Sequence, residues 1–104
     1  MEEKQGIEEK IHRIAHYYGA DSQLDQTIEE LAELTVAIRK FKRNKVNASV
    51  NDKVTLLYNL SGEIADVEIM LEQLKHLLPF VEEDVEKIKI EKLDRQIKRI
   101  ILGK

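Results

Sequence analysis

Ile28-Glu29-Glu30-Leu31-Ala32-Glu33-Leu34-Thr35-Val36-Ala37-Ile38 sets three glutamates in an otherwise apolar run that contains no lysine or arginine. In a helix, Glu30 and Glu33 stand one turn apart on one side. Leu31, Ala32, Leu34, Val36, Ala37 and Ile38 then surround Glu33 on nearly every side. A helix that is apolar all round belongs in an interior, so the stretch predicts a buried helix that carries carboxylates inward. The chain repeats the device in Leu60-Ser61-Gly62-Glu63-Ile64-Ala65-Asp66-Val67, where Glu63 and Asp66 again stand at i and i+3. They project into the sector of Val67, Met70 and Leu77.

An ionised carboxylate taken out of water costs several kcal/mol unless it is paired or ligated. No basic residue lies between Ile28 and Ile38 or between Leu60 and Leu74 to pair with these acids. Glu30, Glu33, Glu63 and Asp66 therefore predict a site for a hard divalent cation. Mg²⁺ is favoured where phosphate is a co-ligand, with Mn²⁺ as a substitute. The plain alternative is four solvated glutamates and aspartates in a charge-rich chain.

Outward from these two segments the period stays helical. A first helix is expected over about 4–18, with Ile7, Ile11, Ile14 and Tyr18 on one stripe and Gly19 as its stop. The second is capped by Asp21 or Ser22, carries Leu24, Ile28, Leu31, Thr35 and Ile38 on its stripe and fades after Phe41. Three asparagines, a serine and an aspartate make 44–52 a loop. The third helix spans about 53–78, with Leu57, Leu60, Ile64, Val67, Leu71, Leu74 and Leu78 aligned, and Pro79 ends it. A long amphipathic helix follows over about 80–102. The expected fold is a single all-α domain over 1–104, with a core at about 4–78. It is an antiparallel bundle of about four helices, completed as a homodimer or homotetramer because so short a chain buries a modest share of its surface.

Composition narrows the function. The chain has no cysteine, which excludes disulfides, thiolate metal sites and cysteine nucleophiles. Its net charge of -3 argues against a nucleic-acid polymer as partner. No segment has the roughly 18 apolar residues of a membrane span, and no signal peptide is evident, so the expected compartment is the cytoplasm.

Glu29-Glu30-Leu31-Ala32-Glu33-Leu34, followed by Glu63-Ile64-Ala65-Asp66-Val67, resembles the EExxE and ExxD signature of the MazG-like all-α nucleoside triphosphate pyrophosphohydrolases. The likeness extends over roughly 17–74, with Tyr18-Gly19 and Gln23 ahead of the first motif and Asp66 to Leu74 after the second. It implies an Mg²⁺-dependent hydrolase that splits a nucleoside triphosphate into monophosphate and pyrophosphate by attack of an activated water on the α-phosphorus. Glu30, Glu33, Glu63 and Asp66 match the metal-ligand positions. Glu29 matches an extra glutamate that supports the ligands or binds another ion. The connector from Glu33 to Glu63 is longer than usual for the group, and the longer motif of phosphoribosyl-ATP pyrophosphohydrolases is absent.

Glu33 or Glu30 is the candidate to orient the water or take its proton. Lys40, seven residues after Glu33 and on nearly the same face, is a candidate phosphate contact, although cations also favour a helix C-terminus for their own sake. His16 and Gln23 are further substrate candidates, and Tyr17 and Tyr18 are aromatics that stack on a base or, for Tyr18, pack in the core. His12 and His16 have the i, i+4 spacing of a zinc pair, but Arg13 stands where HExxH has glutamate. Glu9 and His12 form one ExxH without the second that a di-iron bundle needs. The non-enzymatic alternative is a helical oligomer whose last helix binds a protein partner.

Overall fold

A computed structural model describes residues 2–103, with side chains from residue 6 onward; residues 1 and 104 of the expected domain lie outside it. The described residues form four helices and no strand: α1 (Glu2–Tyr18), α2 (Ala20–Asn44), α3 (Val50–Leu77) and α4 (Val81–Ile101). The all-α expectation holds, and the joints differ from it in instructive ways.

Gly19 alone separates α1 from α2. Its φ of 87° lies in the region that glycine enters without a Cβ penalty, and α2 begins at the next residue with no side-chain cap. Asp21 and Ser22, expected as caps, fall inside the first turn instead. Asp21 there meets the positive end of the helix dipole, while the Ser22 hydroxyl donates to Gln23 Oε1 at 3.3 Å. The loop after α2 is shorter than expected, because Ser49 caps α3 by accepting from the Asp52 backbone N–H at 3.1 Å. Asn51 and Asp52 are thus first-turn residues, where such side chains are tolerated or favoured. Past Pro79, Phe80 takes a left-handed φ of 68° and starts α4.

α2 and α3 share the most extensive helix pairing, and α1 packs across both. Gln23 meets Gln73 at one end of the pair, the Glu30 and Glu63 levels face each other in the middle, and Lys40 and Leu56 line a common groove near the loop. Partner numbers fall on one helix as they rise on the other, so the pair is antiparallel. The interior line of α2 is Gln23, Thr27, Glu30, Leu34, Ala37 and Phe41; that of α3 is Leu60, Glu63, Val67, Met70 and Gln73. Both follow the alternating three- and four-residue step of a packed helix face.

Among the described residues the buried apolar side chains are Ile11, Ala15, Val67 and Met70, at the meeting of α1 with α3. Several residues expected on the packed stripes are exposed instead: Ile7, Ile14 and Tyr18 on α1, Leu24, Ile28, Leu31 and Ile38 on α2, Leu57, Ile64 and Leu71 on α3. Tyr18, at 59% exposure, packs edge-on against Tyr17 at 4.9 Å between ring centroids and does not enter the core. The reason is geometric: these helices carry apolar side chains on more faces than three neighbours can cover. Among the described residues α4 packs on α3 alone, and the radius of gyration is 17.3 Å against about 13 Å for a compact chain of this length.

Candidate metal centre

Three of the expected acids converge. One carboxylate oxygen from each of Glu30, Glu33 and Glu63 lies within 4.8 Å of the other two. Glu30 and Glu63 sit on the interior lines of α2 and α3 and are half-buried, while Glu33, one turn past Glu30, is exposed. This reverses the expectation that Glu33 is the enclosed acid. The apolar residues around it in sequence, Leu31, Ala32, Val36 and Ile38, point outward with it. Asp66 is exposed and borders the same space without joining the close trio. Glu29 is exposed beside Glu30 and acts on Glu33 electrostatically.

The trio is polar but incompletely satisfied. Gln26 Nε2 donates to Glu30 Oε1 at 2.9 Å. Glu30 Oε2 and Glu63 Oε2 are both buried and have no hydrogen-bond partner. The two salt bridges among the described residues, Lys75 with Glu72 and Lys89 with Glu86, involve none of these acids. Two orphaned carboxylate oxygens facing a third carboxylate fit an oxygen-coordinated divalent ion, since carboxylates out of water need a positive partner. Crowding also shows in the charge balance of Glu33. Glu30 first, then Glu63, then partial desolvation and the charges of Asp66 and Glu29, push its carboxyl above the usual glutamate value of 4.5.

An open groove of about 640 Å³ lies between α2 and α3. Glu33, Glu63 and Asp66 line it, Lys40 stands two turns from Glu33 on the same wall, and Tyr58 and Asn59 come from the opposite helix. Of the three expected substrate contacts, Lys40 is in this groove. Gln23 is not: it is buried and donates through Nε2 to Gln73 Oε1 at 2.6 Å, so its amide is committed to the core. His16 is also elsewhere, its Nε2 lying 2.8 Å from Nε2 of His76 on the α1–α3 side.

Sequence reasoning passed over Asn59 and Tyr58. Asn59 had a usable signal, because 59, 63 and 66 recur at helical spacing and place it on the Glu63–Asp66 face. His76 had none, because its histidine partners lie some sixty residues away. Compared with family models, curated proteins and solved structures, the chain has no match.

Proposed function

We propose that this protein is a divalent-cation-dependent nucleoside triphosphate pyrophosphohydrolase, acting on the α-phosphorus from the groove between α2 and α3. The observation that carries the proposal is the pair of buried, unpartnered oxygens on Glu30 and Glu63 beside Glu33, next to a groove that also holds a lysine. The resemblance of these motifs to the EExxE and ExxD signature supports the same reading of these acids.

Glu30 and Glu63 hold the ion, with Glu33 closing the trio and Asp66 one turn along α3 adding negative charge at the groove. Mg²⁺, or Mn²⁺ in its place, supplies positive charge to the triphosphate oxygens and lowers the pKa of a nearby water. Lys40 binds phosphate along the same wall. Glu33 is the preferred proton acceptor, because it is the exposed acid of the trio and lines the groove. Glu30, held by Gln26, orients the trio. The water oxygen bonds to the α-phosphorus, the bond from that phosphorus to the bridging α–β oxygen breaks, and pyrophosphate leaves with the nucleoside monophosphate as the other product.

The active form is a homodimer or homotetramer. Leu24, Ile28, Leu31 and Ile38 on α2, Leu57, Ile64 and Leu71 on α3 and Ile88, Leu93 and Ile97 on α4 are all exposed. Apolar surface on this scale marks an interface, and a second copy of the same bundle is its natural cover. The same bare α4 is what favours the second reading, a helical module that docks a protein partner.

Pyrophosphate release across canonical and modified nucleoside triphosphates with Mg²⁺, run beside Glu33→Gln and Asp66→Asn, tests the activity. Release that depends on both acids supports the proposal. Equal release by the variants, or none with any triphosphate, refutes it. Light scattering that shows a monomer at micromolar concentration refutes the oligomer.

A further inference from the structure

The chain contains three histidines, and all three meet at one place. His12 and His16 lie one turn apart on α1, and His76 comes from the last turn of α3. The His12 ring stacks on the His76 ring with centroids 3.8 Å apart and planes 10° from parallel. His16 approaches His76 edge-on at 4.7 Å, which aims their Nε2 atoms at each other across 2.8 Å.

We propose that His12, His16 and His76 form a binding site for a zinc-class transition ion that clasps α1 to α3. The two Nε2 atoms are at hydrogen-bond distance, and a small rotation of either ring opens them to the wider spacing of two nitrogens on one tetrahedral ion with Zn–N bonds of about 2.0–2.1 Å. The i, i+4 spacing of His12 and His16 is one that places two histidines on a common ion. His12 is exposed, so its ring is free to turn from the stack and bring in a third nitrogen. Imidazole donors select zinc, copper or nickel over magnesium, so this site is chemically distinct from the carboxylates of α2 and α3.

His76, the ring that both others meet, is half-buried and so is held in place between α1 and α3. The inference is independent of the hydrolase proposal.

The test is calorimetry and thermal melting of the full chain with Zn²⁺ in a non-coordinating buffer, beside His76→Gln, the double variant His12→Gln/His16→Gln, and Glu33→Gln. With excess Mg²⁺ present to occupy the carboxylates, the expected result is one Zn²⁺ per chain at the histidines and a rise of several degrees in Tm. Both effects persist in Glu33→Gln and vanish in each histidine variant. Co²⁺ gives a second readout, visible d–d absorption of a nitrogen-ligated ion in the wild type that the double variant lacks. Should His76→Gln fail to fold, the double variant and the Co²⁺ spectrum decide alone. No Zn²⁺ binding, or binding that survives the histidine changes and disappears in Glu33→Gln, overturns the proposal.

Discussion

The glutamates of α2 and α3 and the histidines of α1 and α3 are both knots of like side chains, yet they are stabilised in opposite ways. The acids are kept apart by up to 4.8 Å and leave two oxygens without partners. The histidines stack and share a nitrogen-to-nitrogen contact at 2.8 Å. A neutral imidazole is donor and acceptor at once, so histidines can satisfy one another, whereas ionised carboxylates only accept and must look to a cation. The difference separates a cluster that the chain can close by itself while no ion is bound from one that needs an added charge even at rest.

The largest expected effect breaks the two apart by function. With Mg²⁺ and a substrate triphosphate, Glu33→Gln should lower kcat about 10²–10⁴-fold, the usual worth of a positioned general base. His76→Gln should leave kcat within about twofold. Steady-state pyrophosphate release measures both, and a comparable loss in His76→Gln would join the clusters into one machine.

Between them along α3 sits Gln73, 1% exposed, which accepts from Gln23 and donates to the Met70 sulfur at 3.7 Å. Gln73→Leu leaves the Gln23 amide buried without its partner, at a cost of about 1–3 kcal/mol. Removing both, in Gln23→Leu/Gln73→Leu, should recover part of that loss, because no polar group is then orphaned. Urea unfolding at pH 7 of the wild type, Gln23→Leu, Gln73→Leu and the double variant measures the four stabilities. A double variant as unstable as the sum of its singles would show that shape, not hydrogen bonding, sets the cost.

The pair also shows what a linear sequence conceals. Periodicity located the four helices and the acids, since spacings of three and four residues lie within one segment. It misjudged which glutamate turns inward: Glu33 is flanked by apolar neighbours in sequence, but Glu30 shares its face with Thr27 and Leu34 and is the enclosed one. Gln23, read as a substrate contact, and Tyr18, read as a core residue, exchanged surface and interior for the same reason. The chosen face of each helix is set by its neighbours, and here the helices offer more than one apolar face. Helix ends were legible to within a few residues, and their caps were not, because Gly19 starts α2 through backbone conformation alone.

A smaller effect sharpens the comparison through pH. Glu33 has a folded-state pKa raised above 4.5 by its carboxylate neighbours Glu30, Glu63, Asp66 and Glu29. The folded state therefore holds its proton more tightly than the unfolded chain, and its contribution is fully present below pH 4.5 and lost as pH rises through the raised value. His76 runs the other way. With its pKa lowered below 6.5 by burial, His12 and His16 against the opposing Glu82, its contribution is complete above pH 6.5 and lost as pH falls through the lowered value. In melts from pH 4 to 8 without divalent ions, the wild type should gain on Glu33→Gln as pH falls. Against His76→Gln it should lose ground over the acid end of the range. Curves that run parallel to either variant would show that the corresponding cluster does not titrate on folding.

The smallest effect concerns the floor of the acid groove. Gly62 stands inside α3 with a helical neighbour on each side, and a Cβ built there meets nothing within 4 Å. Glycine in a helix interior costs roughly 0.5–1 kcal/mol relative to alanine, and the chain's own packing does not require it. Gly62 lines the groove beside Glu63, so the space above it is available to whatever the groove holds. Gly62→Ala should therefore raise the stability of the unliganded protein by about 0.5–1 kcal/mol in urea unfolding while raising KM for the triphosphate. A gain in stability with KM unchanged would show that nothing bound in the groove approaches α3 at this turn. A loss of stability would mean that Gly62 is covered by a second copy of the chain, because one chain alone leaves that position open.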